Sequence, residues 1–304
     1  MTGRKVRLAP GARVAPHLTV VGAIDEGGRD PVYIVWNHAA WCPMCCKLFC
    51  RPAQARWEAR VLRRLDHPGI VRLLEDGSPA YMLTEFLEGP TLRKLLRGRP
   101  KGRLGIDDAL RTAIHLGASL AHLHGRGYLH LDVKPGNVIV TRRRPVLFDL
   151  GSARRADGRK LSSPQGTDAY MAPEQCRAQV PSPASDVWGL GVTLYETLAG
   201  IRPFPEGDAA EPFPQLHLEP VSLRRHLPRM PAELAALVAA CLAPKPEERP
   251  AGMATLLPAL HLLIRSGPRM WPPLVDPASP TQQAASAAWT APQLDRTGRV
   301  AAKA

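Results

Sequence analysis

The stretch His130-Leu131-Asp132-Val133-Lys134-Pro135-Gly136-Asn137 gathers an aspartate, a lysine and an asparagine into a few residues of irregular chain. Pro135 and Gly136 interrupt regular structure there, so the three polar side chains can converge. A helix ending near Gly125 precedes the stretch. After it comes a hairpin pattern: Val138-Ile139-Val140, a turn rich in Arg142 to Arg144, then Val146-Leu147-Phe148. Asp149 sits at the hairpin's exit. Two carboxylates at neighbouring loop ends, with an amide and an ammonium between them, suit a magnesium–nucleotide complex, because magnesium prefers hard oxygen ligands. Phosphoryl transfer also needs a carboxylate to orient a hydroxyl and cations to offset phosphate charge. Taken alone, Asp132 and Asn137 read equally well as ordinary turn residues.

Upstream, the chain is mostly strand. Leu18 to Val21 and Val32 to Val35 are β-branched and aromatic runs separated by Gly27-Gly28. One helix interrupts them, with Pro52 near its start, Trp57, Val61, Leu62 and Leu65 at helical spacing, and Asp66 to Gly69 as its end. Ile70 to Leu74 and Tyr81 to Leu87 read as further strands. Beyond Gly89 the pattern is helical. Asp107 is the expected N-cap of a helix carrying Leu110, Ala113 and Ile114. Val187 to Leu198 marks a second helix, closed by Gly200, and Leu234 to Cys241 a third. The expected organisation is a basic, loose extension at 1–16, a strand-rich unit at 17–88, a larger helical unit at 89–266 and a flexible Pro/Ala-rich tail at 267–304.

The 304 residues suggest roughly two units at about 150 residues each. The net charge of +13 favours anionic partners, but no zinc-finger, RNP-type or heptad pattern organises it for nucleic acid, which is not an expected partner. No apolar signal region opens the chain, and Leu256 to Ile264 is too short for a bilayer, so a cytoplasmic protein with reduced cysteines is expected.

The motifs together resemble the eukaryotic-like, Hanks-type serine/threonine protein kinase family found in bacteria. His130 to Asn137 resembles its H-x-D-x-K-P-x-N catalytic loop, and Asp149-Leu150-Gly151 its D-F-G. Gly166 to Glu174 resembles the end of the activation segment, Asp186 to Val192 the central helix of the large lobe, and Arg249 the arginine that pairs with Glu174. These fall in family order over about residues 17–266. The resemblance implies an α+β bilobal protein-kinase fold: a small antiparallel-sheet N-lobe with one helix, then a larger, mainly helical C-lobe. It implies transfer of the ATP γ-phosphate to Ser/Thr hydroxyls of protein substrates, with Mg2+ or Mn2+. By the same resemblance Asp132 is the catalytic base, Lys134 steadies the γ-phosphate, and Asn137 and Asp149 hold the metal. Lys47, in Met44-Cys45-Cys46-Lys47, meets the α/β-phosphates and pairs with Glu58. Val32, Cys45 and Ile139 sandwich the purine; Thr84 is the gatekeeper and Glu85 to Leu87 the hinge. Leu62, Leu73, His130 and Leu150 form a spine anchored by Asp186. Each of these apolar residues also reads as plain core.

Three departures stand out. The glycine-rich loop maps to Asp25, Gly27 and Asp30, keeping only the middle glycine, which weakens the phosphate cradle and admits a non-catalytic, scaffolding alternative. Leu131 replaces the arginine that contacts a phosphorylated loop, so activity independent of loop phosphorylation is expected, with Ser162, Ser163 and Thr167 as candidate sites. Finally, Trp41-Cys42-Pro43-Met44-Cys45, with Cys46 and Cys50 beside it, reads as structural cysteines, a zinc site or a redox pair. Alternation on a strand would send Cys45 and Cys46 to opposite faces. No sensor segment is visible, so input is expected from a regulatory protein partner.

Overall fold

A computed structural model describes residues 8–25, 30–77 and 80–264. Those residues form two compact units, one running to Asp66 and including Val71–Leu87, the other made of His67–Ile70 and the chain from Glu88.

The first unit is a six-stranded antiparallel sheet with one helix. Its strands are β1 (Arg13–Ala15), β2 (Leu18–Asp25), β3 (Val32–Asn37), β4 (Cys42–Leu48), β5 (Leu73–Gly77) and β6 (Tyr81–Glu85), in the order β1-β2-β3-β4-β6-β5. Period-two alternation puts Val20, Tyr33, Val35, Met44, Cys46 and Leu83 into one core cluster. Leu8, Ala12 and Ala15 pack against that cluster, and the Leu8 amide donates to the Tyr33 hydroxyl. Residues 13–15 are therefore a strand of the sheet, and Leu8 and Ala12 ahead of them cover a core edge, where a loose extension was expected. Helix α1 (Pro52–Leu62) has proline in its first turn, where a missing N–H costs nothing. It ends before the expected Asp66. Arg56, Arg60, Arg63 and Arg64 line its outer side, where Arg63 pairs with Asp76.

The strand expected from Ile70 begins only at Leu73. Ile70 instead bridges to Leu147, and the Gly69 carbonyl accepts from both Leu147 N (2.8 Å) and Ser119 Oγ (2.9 Å). These bonds draw the H-P-G-I segment into the second unit.

That unit contains α2 (Leu92–Arg97), α3 (Ile106–Gly125), β7 (Tyr128–Leu129), the hairpin β8 (Val138–Val140) and β9 (Pro145–Leu147), β10 (Arg154–Arg155), α4 (Pro173–Cys176), α5 (Pro183–Ala199), α6 (Leu223–His226), α7 (Ala232–Cys241) and α8 (Met253–Leu262). Gly105, not Asp107, caps α3; Asp107 lies in the first turn, where a carboxylate meets the positive end of the helix dipole. Leu110, Leu116, Leu120 and Leu123 of α3 are buried at helical spacing, as are most residues of α5. Gly200 ends α5 at φ 78°, a left-handed cap that glycine takes without strain. No described helix is long and apolar enough to cross a membrane.

Three imidazoles of this unit are held below their ordinary range. Burial is the leading cause for His130, His115 and His67, with Arg144 adding to the shift at the last two. A folded pKa below the unfolded one favours the neutral ring. The stability this gives is full above about pH 6.5 and lost as pH falls. Chemical denaturation at pH 7.5, 6.5 and 5.5 is expected to show falling stability, with fully buried His130 alone contributing up to about 1.4 kcal/mol per pH unit.

Candidate active site

Asp186, fully buried in the first turn of α5, organises the loop after β7. Its carboxylate accepts from the amides of His130 (2.9 Å) and Leu131 (2.8 Å) and lies 2.7 Å from His124 Nε2. Burial alone would raise its pKa; the hydrogen bond and charge of His124 outweigh that and hold it below the ordinary carboxylate range. These bonds hold Leu131 at φ 63°, a left-handed conformation costing an L-residue about 1–2 kcal/mol. The next residue, Asp132, is thereby turned toward its partners.

Asp132 is buried and accepts from three side chains. Lys134 Nζ (2.7 Å) and Asn137 Nδ2 (2.9 Å) reach Oδ2, and Thr167 Oγ1 reaches Oδ1 at 2.7 Å. Lys134 Nζ also donates to Thr167 Oγ1 at 2.5 Å. Asn137 gives its Nδ2 to the Asp132 carbonyl as well, so its Oδ1 faces away from Asp132. The Asn137 carbonyl accepts from Phe148 N (3.0 Å), which ties the stretch leading into Asp149 to the Asp132 loop. Asp149 itself sits at φ 62°. The two sequence-predicted carboxylates, the lysine and the asparagine thus belong to one bonded loop system. Asn137 Oδ1 and the Asp149 carboxylate are hard oxygens, and two protein ligands are what a magnesium ion arriving with nucleotide phosphates takes. The donor set fits such a metal.

In the first unit, Lys47 Nζ donates to both Glu58 oxygens, at 3.2 and 2.9 Å. Glu58 is 1% exposed and Lys47 16%. Cross-strand register pairs Val32 with Lys47 and Cys45 with Thr84, so these four share a sheet face opposite the core cluster. Glu85 closes β6, and its side chain accepts from Arg72 N; Leu87 follows it, half-buried. Ile139 lies in β8 of the second unit. Gly27 falls outside the described residues. Asp30, which maps to the last glycine position of the phosphate loop, accepts from the Cys50 amide at 2.9 Å.

The cysteine segment is strand, not a helix N-terminus, so the redox geometry is absent. Cys46 enters the core and Cys45 the opposite face, as alternation requires. Among the described residues no three His, Cys, Asp or Glu side chains are placed to hold a metal. Burial raises the Cys45 thiol to about 11 and Cys46 to about 12. In a thiol titration at pH 8, exposed Cys50 is expected to react first, and Cys46 and Cys241 only after denaturant is added.

The segment following Asp149 is held without any charge on Leu131. Leu131 packs with Leu129 and Leu161 in a small buried cluster, against which Ala178 rests. Gln175 Nε2 donates to the carbonyls of Leu131 (2.9 Å) and Gln165 (2.7 Å), while its Oε1 accepts from Ala172 N. Gly166, at φ 130°, permits this approach: a Cβ there would lie 2.7 Å from the Leu131 carbonyl oxygen. Ser162 and Ser163 are exposed. Farther on, Arg249 and Glu174 form a buried two-pronged pair at 2.8 and 2.9 Å. Nothing in the sequence distinguished Gln175, His124 or the Arg93–Tyr170–Glu196 chain of hydrogen bonds, because their partners are backbone carbonyls or residues far along the chain.

A six-stranded sheet with a Lys–Glu pair, followed by a helical unit built on an Asp–Lys–Asn loop, defines the bilobal α+β kinase fold. A protein kinase domain model matches residues 24–259, and the chain belongs to that family. PknA, a serine/threonine-protein kinase of Mycobacterium tuberculosis, is 36% identical over 176 residues, covering 54% of this chain and 40% of that protein. The DNA damage-responsive serine/threonine-protein kinase RqkA of Deinococcus radiodurans is 31% identical over 285 residues, covering 87% of this chain and 42% of RqkA. The chain thus spans about two fifths of the length of these relatives. The crystal structure of the M. tuberculosis PknI kinase domain matches with a TM-score of 0.67 at 24% identity, covering 84% of this chain and 99% of that one. That likeness speaks for the fold. Members of the family use ATP and a divalent metal.

Proposed function

We propose that this chain transfers the γ-phosphate of ATP to serine or threonine hydroxyls of protein substrates, using Mg2+ or Mn2+. The observation that carries the reading is the Asp132 carboxylate, fixed by Lys134, Asn137 and Thr167 in a buried loop. Asp132 orients the acceptor hydroxyl and takes its proton as the oxygen bonds to the γ-phosphorus; the γ-phosphorus–oxygen bond to the β-phosphate breaks and ADP leaves. Lys134 offsets charge on the transferring group. Asn137 and Asp149 hold the metal, which when bound neutralises phosphate charge. Lys47 meets the α/β-phosphates, and Glu58 keeps its ammonium in place. Val32, Cys45 and Ile139 contact the purine, with Thr84 as gatekeeper and Glu85 and Leu87 in the hinge. Thr167, bonded to both Asp132 and Lys134, supports the Ser/Thr assignment. The scaffolding alternative rested on the glycine-rich loop, and the engaged Lys47–Glu58 and Asp132 groups favour transfer over it. Phosphate incorporation from labelled ATP into protein, with Asp132→Asn as control, tests the reading.

We further place the protein in the cytoplasm, with input from a regulatory protein partner. Loop phosphorylation is not its switch, since the apolar contacts of Leu131 occupy the place of a phosphate-binding charge. Combined Ser162→Ala and Ser163→Ala changes are expected to leave the transfer rate within about twofold of the parent, because no cationic group at Leu131 waits for a phosphate. Leu161→Asp, which puts a charge into the cluster, is expected to slow transfer at least about tenfold. Loss of activity in the double serine variant would overturn this.

A further inference from the structure

The wall beside the Asp132 loop is strongly basic. Residues 93–103 carry Arg93, Lys94, Arg97, Arg99, Lys101 and Arg103 and no acid. Leu92, Leu95 and Leu96 face the core, so the cations of α2 and its following turn project outward. The turn is built rather than loose. Gly200 approaches so closely that a Cβ there would lie 2.1 Å from the Lys101 carbonyl oxygen, and Leu104 N donates to Thr197 O at 2.9 Å. A cleft of about 790 Å³ lies along this wall, entirely within the second unit. Lys134 and Thr167, both bonded to Asp132, line it, together with Arg93, Arg97 and Arg202.

The charges in the cleft do not cancel. Arg93 Nη2 donates to the Tyr170 hydroxyl (3.0 Å), which in turn donates to Glu196, so Glu196 offsets Arg93. Arg202 meets Glu206 at 3.5 Å, but Glu206 is 81% exposed at the rim. Arg97 has no ion-pair partner among the described residues. A chain presenting its hydroxyl at Asp132 lays its flanking residues beside Lys134 and Thr167, in this cleft.

We propose that the cleft is a specificity site for acidic side chains flanking the acceptor hydroxyl, with Arg97 and Arg202 as the discriminating cations. This rests on the phosphotransfer reading and names its substrate class: polypeptides in which Asp, Glu or a phosphorylated serine lies near the acceptor. The shared chemistry is an anionic oxygen group. Arg97 is exposed and Arg202 half-buried, and each both attracts an anion and repels a cation, so discrimination arises from two terms of the same sign.

A positional peptide set tests it, each peptide holding one serine and carrying Asp, Glu, phosphoserine, Ala or Arg at a single flanking position. Phosphate incorporation is measured for the full chain and for Arg97→Glu and Arg202→Glu, with circular dichroism verifying that each variant is folded. The parent is expected to favour acid-flanked over Arg-flanked peptides by about fivefold or more in kcat/KM, mainly through KM, with the ratio shrinking at 0.5 M salt. In each variant the ratio is expected to collapse or invert. Carboxylate and phosphoserine arms separate the two anion sources. Transfer to every peptide with no acid preference, or a preference that both variants keep, overturns the proposal while leaving phosphotransfer standing. No transfer to any peptide overturns both readings.

Discussion

Arg249→Ala is expected to destabilise the helical unit by about 3–5 kcal/mol, which would leave much of the chain unfolded at 37 °C. The arginine is 0% exposed in its side chain and Glu174 4%. Each guanidinium nitrogen has a role: Nη1 donates to Glu174 and the Ala184 carbonyl, Nη2 to Glu174 and the Pro244 carbonyl, and Nε to Ala243. The ring of Trp188 lies 5.0 Å from the guanidinium carbon. Removing the cation strands a buried carboxylate whose remaining side-chain partner is the Ser185 hydroxyl, and takes a donor away from the carbonyls of Ala184, Ala243 and Pro244. Because a buried ion pair can be neutral overall against an apolar pair, the loss belongs to the half-broken state. Urea melts of Arg249→Ala, Glu174→Gln and the double variant measure it. The double variant is expected to be less unstable than the sum of the singles; strict additivity would show that the two side chains are not coupled.

Asp132→Asn is expected to lower phosphate transfer by about 10²–10⁴-fold while leaving the fold intact. The carboxylate receives Lys134 Nζ and Asn137 Nδ2 at one oxygen and the Thr167 hydroxyl at the other. An amide introduced there keeps only one accepting oxygen. Its nitrogen can face Thr167 Oγ1, which accepts if its own proton turns away, so the packing survives. The amide cannot take a proton from an incoming hydroxyl. Stopped-flow or steady-state incorporation from labelled ATP reads the loss, and a thermal melt close to that of the parent separates chemistry from folding. A variant transferring phosphate at the parental rate would remove Asp132 from the mechanism.

What the sequence made legible was local. Asp132, Lys134 and Asn137 lie so close in the chain that irregular backbone almost obliges them to meet, and Pro52, Gly200 and the β-branched runs mark element ends by their own backbone chemistry. The Lys47–Glu58 pair was reached through family resemblance and is present at hydrogen-bond distance. Register was harder to read. Ile70 looks like the start of a strand, but its partner is Leu147, on an element that its own neighbourhood does not announce. Residues 8–16 look loose because a few apolar side chains set among Pro10, Gly11 and Pro16 carry no period; only the sheet they cover gives them a place. Asp30 maps to the phosphate loop by resemblance alone, and its bond to the Cys50 amide depends on how two strand ends approach each other.

The clasp made by Gln175 is electrically neutral. One carboxamide and three leucines join the catalytic loop to the segment after Asp149, and none of these side chains titrates near neutral pH or accepts a phosphate. Such a fastening gives proton and phosphoryl signals nothing to act on.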